Sequence, residues 1–80
     1  MKKVIVYSAD FCGYCTKTKE WLTHKGVPFT ALDVTKPEIQ EEFSRYNIPG
    51  IPLIFITDEE TGNTEQIRGF NIEKLTAALF

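Results

Sequence analysis

Residues 3–15 read KVIVYSADFCGYC, and the position of two cysteines within this stretch decides the fold. The opening residues 3–7 are β-branched and aromatic, and a nearly continuous apolar run of this kind is typical of a strand buried on both faces. A polar break follows at residues 8–10, and Cys12 and Cys15, spaced C-x-x-C, come after it. Helical periodicity begins at Cys12, so the cysteine pair is predicted to lie where a strand ends and a helix begins.

The rest of the chain alternates between strand and helix patterns, which indicates an α/β protein. The first helix is predicted from Cys12 to about Lys25, with Gly26 as its stop. Three further strands are predicted at 29–33, 53–57 and 65–68, and a second helix lies between the first two of these strands. A last helix is capped by Asn71 and has Ile72, Leu75 and Leu79 on one face. In the resulting order, β-α-β-α-β-β-α, the first two strands flank a helix and should be parallel, with a right-handed crossover. The last two should form a hairpin across a polar loop at 58–64, with Gly62 and Asn63 as its turn.

The second helix is expected to begin at Thr35. Thr35 suits the cap position because Glu38 follows three residues later, which is the spacing of a capping box. Residues 47–50 are expected to end the helix. Its apolar face consists of Ile39, Phe43 and Tyr46.

The composition is that of one small domain. With 80 residues, 42% of them hydrophobic and 25% charged, the chain has room for a single core, and we expect one domain over 1–80. No apolar run approaches the ~20 residues of a membrane-spanning helix, and the basic start at residues 1–3 precedes too short an apolar run for a signal peptide. The expected location is therefore the cytoplasm. The net charge of −2 argues against a nucleic-acid partner, which favours a concentrated basic face.

The two cysteines are predicted to be catalytic or metal-binding rather than a static disulfide, because the cytoplasm keeps thiols reduced. A helix N-terminus offers unpaired N–H groups and the positive end of the helix dipole, and both stabilise a thiolate. Cysteines at such positions in C-x-x-C motifs have pKa values of about 3.5–7.5, against ~8.5 for a free cysteine. The dipole alone is worth roughly one pKa unit, so a larger shift requires N–H donors, for which Tyr14 and Cys15 are placed. An Asp10 carboxylate close to the sulfur would act in the opposite direction.

The spacing also divides the chemistry between the two thiols. Cys12 at the helix tip is expected to attack, and Cys15, one turn further on and facing the core, is expected to resolve the mixed disulfide. A metal site is an alternative, but zinc prefers four ligands and the chain adds only His24, which is explained more simply as a residue of the helix's last turn. A non-catalytic interaction domain is a third interpretation.

Three stretches together resemble the glutaredoxin family and its glutaredoxin-like redoxin relatives. They are residues 6–15 (VYSADFCGYC), 50–52 (GIP) and 69–70 (GF), and the likeness extends over nearly the whole chain. The resemblance implies a thioredoxin-like fold, in which a four-stranded mixed sheet of order 2-1-3-4 carries three helices distributed over both faces. It also implies a thiol–disulfide oxidoreductase that carries electrons to protein or small-molecule disulfides through Cys12 and Cys15, without a cofactor.

The same resemblance implies a set of substrate-binding residues. Pro52 is expected to be a cis-proline facing the cysteine pair, and the backbone of Ile51 is expected to pair with the substrate chain. The expected binding residues are Phe11, Tyr14, Ile51, Pro52, Gly69 and Phe70. Their apolar groups would form a docking rim, although core packing explains Phe11 and Phe70 equally well.

The chain departs from the glutathione-using members of that family at two anchoring positions. Ala9 stands where they carry a basic residue, three before the first cysteine. Further on, Arg68 replaces the first glycine of a Gly-Gly pair, and Asn71-Ile72 replaces an acidic or hydroxyl pair. These losses favour thioredoxin reductase over glutathione as the reductant, and the step at 69–70 resembles the redoxins that supply ribonucleotide reductase.

The expected partners are therefore a disulfide-containing protein substrate, with ribonucleotide reductase as a candidate, and thioredoxin reductase or glutathione as the reductant. Neither nucleic acid nor a membrane is expected as a partner, and the chain is expected to be a monomer. Gly13 replaces the proline common in C-P-Y-C motifs, and some family members that lack this proline bind a [2Fe–2S] cluster between two subunits. An iron–sulfur or metal-binding dimer, held by Cys12 of each chain, is the alternative.

Overall fold

A computed structural model of the chain describes residues 2–45 and 50–80, and within them it contains four strands and three helices. The elements are β1 (Lys2–Ser8), α1 (Gly13–His24), β2 (Thr30–Asp33), α2 (Pro37–Ser44), β3 (Leu53–Asp58), β4 (Thr64–Arg68) and α3 (Ile72–Leu79). The predicted order β-α-β-α-β-β-α is confirmed. Every strand boundary lies within about one residue of its expected position, because the strands are marked by runs of apolar and β-branched side chains.

The four strands form one mixed sheet in the order β2-β1-β3-β4. β1 is parallel to β2 and antiparallel to β3, and β3 pairs with β4 as an antiparallel hairpin. The parallel pair and the hairpin predicted from the chain order are confirmed, and so is the strand order that the resemblance implied. Because β1 is a central strand, the loop that follows it, and then Cys12, lie near the middle of the row formed by the strand ends.

The two faces of the sheet are covered by different helices. One face packs against α1 and α3, and each valine, leucine or isoleucine side chain buried there contributes about 1.5–3 kcal/mol. The core cluster on this face consists of Val4, Val6, Leu22, Ile54, Ile56, Ile67, Leu75 and Ala78. On the other face the ring of Tyr7 packs against Phe43 of α2, with 5.6 Å between ring centroids, and its hydroxyl donates to Glu42 Oε1 at 2.9 Å. Helices therefore cover both faces, as the resemblance implied.

The end of α1 is a glycine-terminated motif, as predicted. Gly26 has a φ of 71°, a conformation that side chains rarely adopt, and its N–H donates to the Thr23 carbonyl at 3.1 Å. The next N–H, that of Val27, donates back to the Leu22 carbonyl at 2.9 Å. This pair of bonds is a Schellman motif, which satisfies the last carbonyls of the helix and turns the chain towards β2.

The predicted cap of α2 is wrong. Its N-cap is Lys36, which makes no side-chain capping bond, and Pro37 occupies the first turn, where its fixed φ and missing N–H are no disadvantage. Thr35 instead donates both its N–H and its hydroxyl to Asp33 Oδ1, at 2.9 and 2.6 Å. This local bond holds Thr35 in the loop before the helix, which is the usual way in which Thr and Asp compete with a helix start.

The turn of the β3–β4 hairpin lies earlier than predicted. The turn residues are 59–61, and the Asp58 carboxylate accepts the N–H of Glu60 at 3.0 Å. Gly62, with a φ of 78°, follows the turn and returns the chain to β4. The Gly62-Asn63 pair is a strong turn signal in sequence, but the side chain of Asp58 starts the reversal first.

The apolar face predicted for α2 is described in part. Ile39 and Phe43 are both half-buried. Tyr46, and the expected stop at 47–49, lie outside the described residues. Among the residues that are described, no helix has the length and apolar character needed to cross a lipid bilayer.

Candidate active site

Cys12 is the N-cap of α1. Its backbone is extended, with φ −98° and ψ 110°, and its own N–H donates to the Ala9 carbonyl at 3.2 Å. From this position its sulfur accepts a hydrogen bond from the backbone N–H of Cys15, with 3.2 Å between N and Sγ. Of the two donors predicted for this sulfur, Cys15 makes the bond. Negative charge on Sγ is therefore favoured both by a direct N–H contact and by the positive end of the α1 dipole.

Cys15 lies one helical turn further on and is enclosed by the protein. Its exposed fraction is 0%, whereas Cys12 is partly exposed, and both are free thiols. Burial is the main cause that raises the pKa of the Cys15 thiol to about 12, and its hydrogen bond with the Cys12 side chain adds to the rise. At neutral pH the Cys15 thiol therefore keeps its proton.

The loop that enters β3 forms a second wall beside Cys12. The Ile51–Pro52 peptide bond is cis, as the resemblance implied, and Pro52 is buried while Ile51 is half-buried. The Cys12 thiol donates to the Ile51 carbonyl, with 3.9 Å between sulfur and oxygen. The Pro52 carbonyl in turn accepts the N–H of Gly69 at 2.9 Å. The structure thus brings together three separate stretches of sequence, around positions 12, 51–52 and 69.

The aromatic residues predicted for the docking rim differ in their surroundings. Phe11 and Tyr14 project into solvent, with 81% and 63% of their surfaces exposed. Phe70 is half-buried and packs against the core cluster of the α1 and α3 face. Exposure therefore favours the rim interpretation for Phe11, whereas Phe70 has a packing role and at most one accessible side.

The positions that depart from glutathione-using relatives have structural roles of their own. Ala9 is only 2% exposed, and its carbonyl holds the N–H of Cys12. Asn71 is the N-cap of α3, as predicted, and its Oδ1 accepts the N–H of Lys74 at 3.0 Å. Gly13 faces open space, since a Cβ placed on it would meet nothing within 4 Å. A side chain at Gly13 is therefore not excluded by the fold.

The surroundings of the cysteines do not assemble a protein metal site within the described ranges. Over residues 2–45 and 50–80, no three His, Cys, Asp or Glu side chains come together as a metal would require. His24 is the last residue of α1, about 18 Å along the helix axis from Cys12. Trp21 lies against the core cluster and meets the ring of Phe80 edge to face, with 6.3 Å between ring centroids. The side chain of Asp10 points to solvent and is exposed.

Two residues in the first turns of α1 contact the site although the sequence did not single them out. Lys17 places its ammonium 5.6 Å from the centre of the Tyr14 ring. The spacing of three positions was the available signal, because residues i and i+3 are neighbours on a helix surface. Thr18 is fully buried, and its hydroxyl donates to the Tyr14 carbonyl at 2.8 Å. Helical spacing places Thr18 on the buried face, and a buried threonine in a helix commonly bonds to the carbonyl four residues back, so spacing was the available signal for this contact too.

Comparisons with known proteins agree with this geometry. The glutaredoxin family model matches residues 4–60. The N-acetyl-S-hydroxy-L-cysteine reductase of Bacillus subtilis is 31% identical, over 95% of this chain and 82% of that protein. The glutaredoxin of Pseudomonas aeruginosa is 30% identical, over 84% of this chain and 82% of that protein.

Among solved structures, the glutaredoxin-like protein NrdH-redoxin from Escherichia coli superposes with a TM-score of 0.77 at 20% identity, covering 94% of this chain and 92% of that one, which shows a common fold. The family model and the two relatives reach further than fold, because they match in sequence over most of the chain. They show that this protein belongs to the glutaredoxin family and is a thiol–disulfide oxidoreductase, and its C-x-x-C pair consists of Cys12 and Cys15.

Proposed function

We propose that Cys12 is the attacking thiolate and Cys15 the resolving thiol of this oxidoreductase. The observation that carries the proposal is the asymmetry between the two sulfurs. Cys12 is partly exposed and has an N–H donor on its sulfur, whereas Cys15 is 0% exposed and its pKa is raised. Because the thiolate is the nucleophile in disulfide exchange, a disulfide arriving from solvent meets Cys12 first.

The reaction passes two electrons to the substrate in two exchanges. The Cys12 thiolate attacks one sulfur of the substrate disulfide; a new S–S bond to Cys12 forms, the substrate S–S bond breaks, and the released thiolate takes a proton from water. Cys15 then attacks the Cys12 sulfur and expels the second substrate sulfur, which takes up the proton that Cys15 loses. The substrate ends as a dithiol, and the protein ends as the Cys12–Cys15 disulfide.

The same geometry supplies a reason for the order of the two steps. The charge of Cys12 and its hydrogen bond are among the causes that raise the pKa of the Cys15 thiol. When Cys12 enters the mixed disulfide it loses its charge, so its contributions to the raised pKa of Cys15 are removed. Burial is then the main remaining cause of the raised pKa. Cys15 therefore becomes easier to deprotonate at the point in the cycle where it has to act.

The substrate class supported by the site is a protein disulfide. The exposed rings of Phe11 and Tyr14, with Ile51 beside Cys12, form an open apolar surface that suits a polypeptide segment. The docking residues proposed from the resemblance are Phe11, Tyr14, Ile51, Pro52, Gly69 and Phe70. Ribonucleotide reductase is the candidate partner that the resemblance suggests, and a cytoplasmic, single-domain monomer is the proposed working form.

The proposed reductant is a thioredoxin-reductase-type flavoprotein rather than glutathione. Glutathione is small and charged, and each hydrogen bond to a charged group is worth about 1.5–3 kcal/mol. Ala9 and Asn71-Ile72 stand where glutathione-using relatives have anchors. The loss of one anchor therefore weakens affinity by roughly 10- to 150-fold, and the loss of both by roughly 150- to 20,000-fold. A reductase that docks on the apolar surface needs neither anchor.

Three measurements test the proposal. Cys15→Ser should accumulate a mixed disulfide between Cys12 and a substrate, visible by mass spectrometry, whereas Cys12→Ser should reduce no disulfide at all. Alkylation at limiting reagent should modify Cys12 first, and modification of Cys15 first would reverse the assignment.

Turnover should be supported by thioredoxin reductase with NADPH. Efficient turnover with glutathione and its reductase, and none with thioredoxin reductase, would overturn the choice of reductant alone.

A further inference from the structure

A chain of hydrogen bonds in the first turns of α1 ends on the Cys12 sulfur. The peptide group between Tyr14 and Cys15 donates its N–H to Cys12 Sγ at 3.2 Å, and its carbonyl accepts the Thr18 hydroxyl at 2.8 Å. We infer that Thr18 is a positioning residue that polarises this peptide group and thereby strengthens the N–H bond to the Cys12 thiolate. The inference rests on the attacking role proposed for Cys12.

Thr18 occupies a position where an apolar side chain is the ordinary choice. It is 0% exposed, and it lies on the same face of α1 as Cys15 and Leu22, which are also 0% exposed. A buried hydroxyl needs a partner, and in a helix it commonly bonds to the carbonyl four residues back. Here that carbonyl belongs to the peptide group whose N–H contacts Sγ, so the ordinary local bond has a consequence for the reacting atom.

The physical link is the conjugation of the peptide group. A donor on the carbonyl oxygen draws electron density from nitrogen and makes the N–H a better donor. Hydrogen bonds linked in this way strengthen one another by about 10–30%, and bonds to a charged acceptor are stronger than bonds to a neutral one. The thiolate therefore gains more than the thiol, which corresponds to roughly a 1.5- to 4-fold change in the thiolate population.

Removing the Thr18 hydroxyl leaves the Tyr14 carbonyl with a partner. In an α-helix the backbone N–H of residue 18 is directed at the carbonyl of residue 14. Thr18→Val keeps the side-chain shape and removes the hydroxyl without leaving a buried acceptor unpaired. Thr18→Ser keeps the hydroxyl and loses a methyl group, so it should restore the wild-type behaviour.

Thr16 provides a matched control in the same turn. Its hydroxyl donates to the Cys12 carbonyl at 3.3 Å, which is the same kind of bond to the carbonyl four residues back. That carbonyl is conjugated with the N–H of Gly13, whereas the donor to Sγ is the N–H of Cys15. Thr16→Val therefore removes a bond of the same i−4 pattern, longer and more exposed than that of Thr18, from a neighbouring peptide group that lies outside the chain of bonds.

The test is the pH dependence of Cys12 alkylation by iodoacetamide in the reduced full-length protein, with the modified residue identified by mass spectrometry. Below the midpoint of the profile, Thr18→Val should react about 1.5- to 4-fold more slowly than wild type. Thr18→Ser and Thr16→Val should match wild type. The amide proton signal of Cys15 should move upfield in Thr18→Val only, because its hydrogen bond weakens.

The outcomes separate the two proposals. If Cys15 is alkylated before Cys12 in the wild-type protein, the proposed function fails whatever Thr18 does. If Cys12 reacts first but its profile is the same in Thr18→Val, or shifts equally in Thr16→Val, the role of Thr18 is wrong and the dithiol mechanism stands. If Thr18→Val does not fold, Thr18→Ala removes the same hydroxyl, and the same two readouts decide.

Discussion

At the scale of single residues, Cys15 differs from an ordinary cysteine in how tightly it holds its proton. Folding raises the pKa of the Cys15 thiol to about 12, whereas a cysteine in an unfolded chain titrates near ~8.5. Between these two values the unfolded chain has lost a proton that the folded protein keeps. The free energy of unfolding of the reduced protein should therefore fall as pH rises from about 8.5 towards 12, and be unaffected by Cys15 below that range.

Urea unfolding of reduced wild type and Cys15→Ala, at about pH 7 and about pH 10, measures this contribution. The other groups that titrate in this range are present in both proteins, so the difference between the two losses of stability reports Cys15 together with its interaction with Cys12. The wild type should lose more stability than the variant between the two pH values. Equal losses would show that Cys15 titrates on folding as it does in the unfolded chain.

The two phenylalanines of the docking surface should respond differently to truncation. Phe11 is 81% exposed, so Phe11→Ala should change the free energy of unfolding by less than about 0.5 kcal/mol while slowing reduction of a protein disulfide. Phe70 packs against the core, so Phe70→Ala should cost about 1–3 kcal/mol, less than a fully buried phenylalanine. Chemical denaturation and steady-state turnover measure the two effects. A large loss of stability in Phe11→Ala would contradict the rim interpretation.

At the scale of elements, the start of α3 joins stability to specificity in one residue. Asn71 caps this helix through its Oδ1, so Asn71→Ala should cost about 0.5–2 kcal/mol. Asn71→Asp keeps a capping oxygen and should retain stability, while restoring an acidic group where glutathione-using relatives have one. Glutathione-coupled turnover should therefore rise in Asn71→Asp and not in Asn71→Ala. No rise in Asn71→Asp would show that this position does not limit glutathione binding.

The elements also show which sequence signals were sufficient. Asn71 and Gly26 were predicted correctly because a cap or a stop depends on one side chain and its neighbours along the chain. Thr35 fitted the capping pattern equally well, but Asp33 competes for both of its donors. The predicted position of the hairpin turn was wrong for the same reason, because the Asp58 carboxylate accepts the N–H of Glu60 and the chain turns before Gly62. Residues with several local partners are not resolved by spacing alone.

At the scale of the whole molecule, the strand order makes a prediction about local opening. β1 and β3 are each paired on both sides, whereas β2 and β4 have one free edge in the sheet of the described residues. Amide exchange should therefore be slowest in β1 and β3 and faster in the outward-facing amides of β2 and β4. Hydrogen–deuterium exchange by NMR measures this directly. Equal protection of β2 and β1 would point to a partner covering the β2 edge.

The site itself could be predicted only in part, because it is assembled from distant stretches. The cysteine pair and its position at a helix start follow from local sequence. The contact between Cys12 and Ile51, and the bond from Gly69 to Pro52, join residues 39 and 17 positions apart in a chain of 80. Only the resemblance pointed to these residues, since pairing across a sheet depends on register, which a single sequence leaves open.

The contact between Trp21 and Phe80 gives this protein an intrinsic optical reporter. Trp21 is the single tryptophan, and its ring meets that of Phe80 edge to face. It lies six residues after Cys15 on the same helix, about 9 Å along the axis. Its fluorescence therefore responds when Phe80 leaves α1. An emission change that precedes loss of the far-ultraviolet helix signal would reveal the separation of Phe80 from α1 as a separate event.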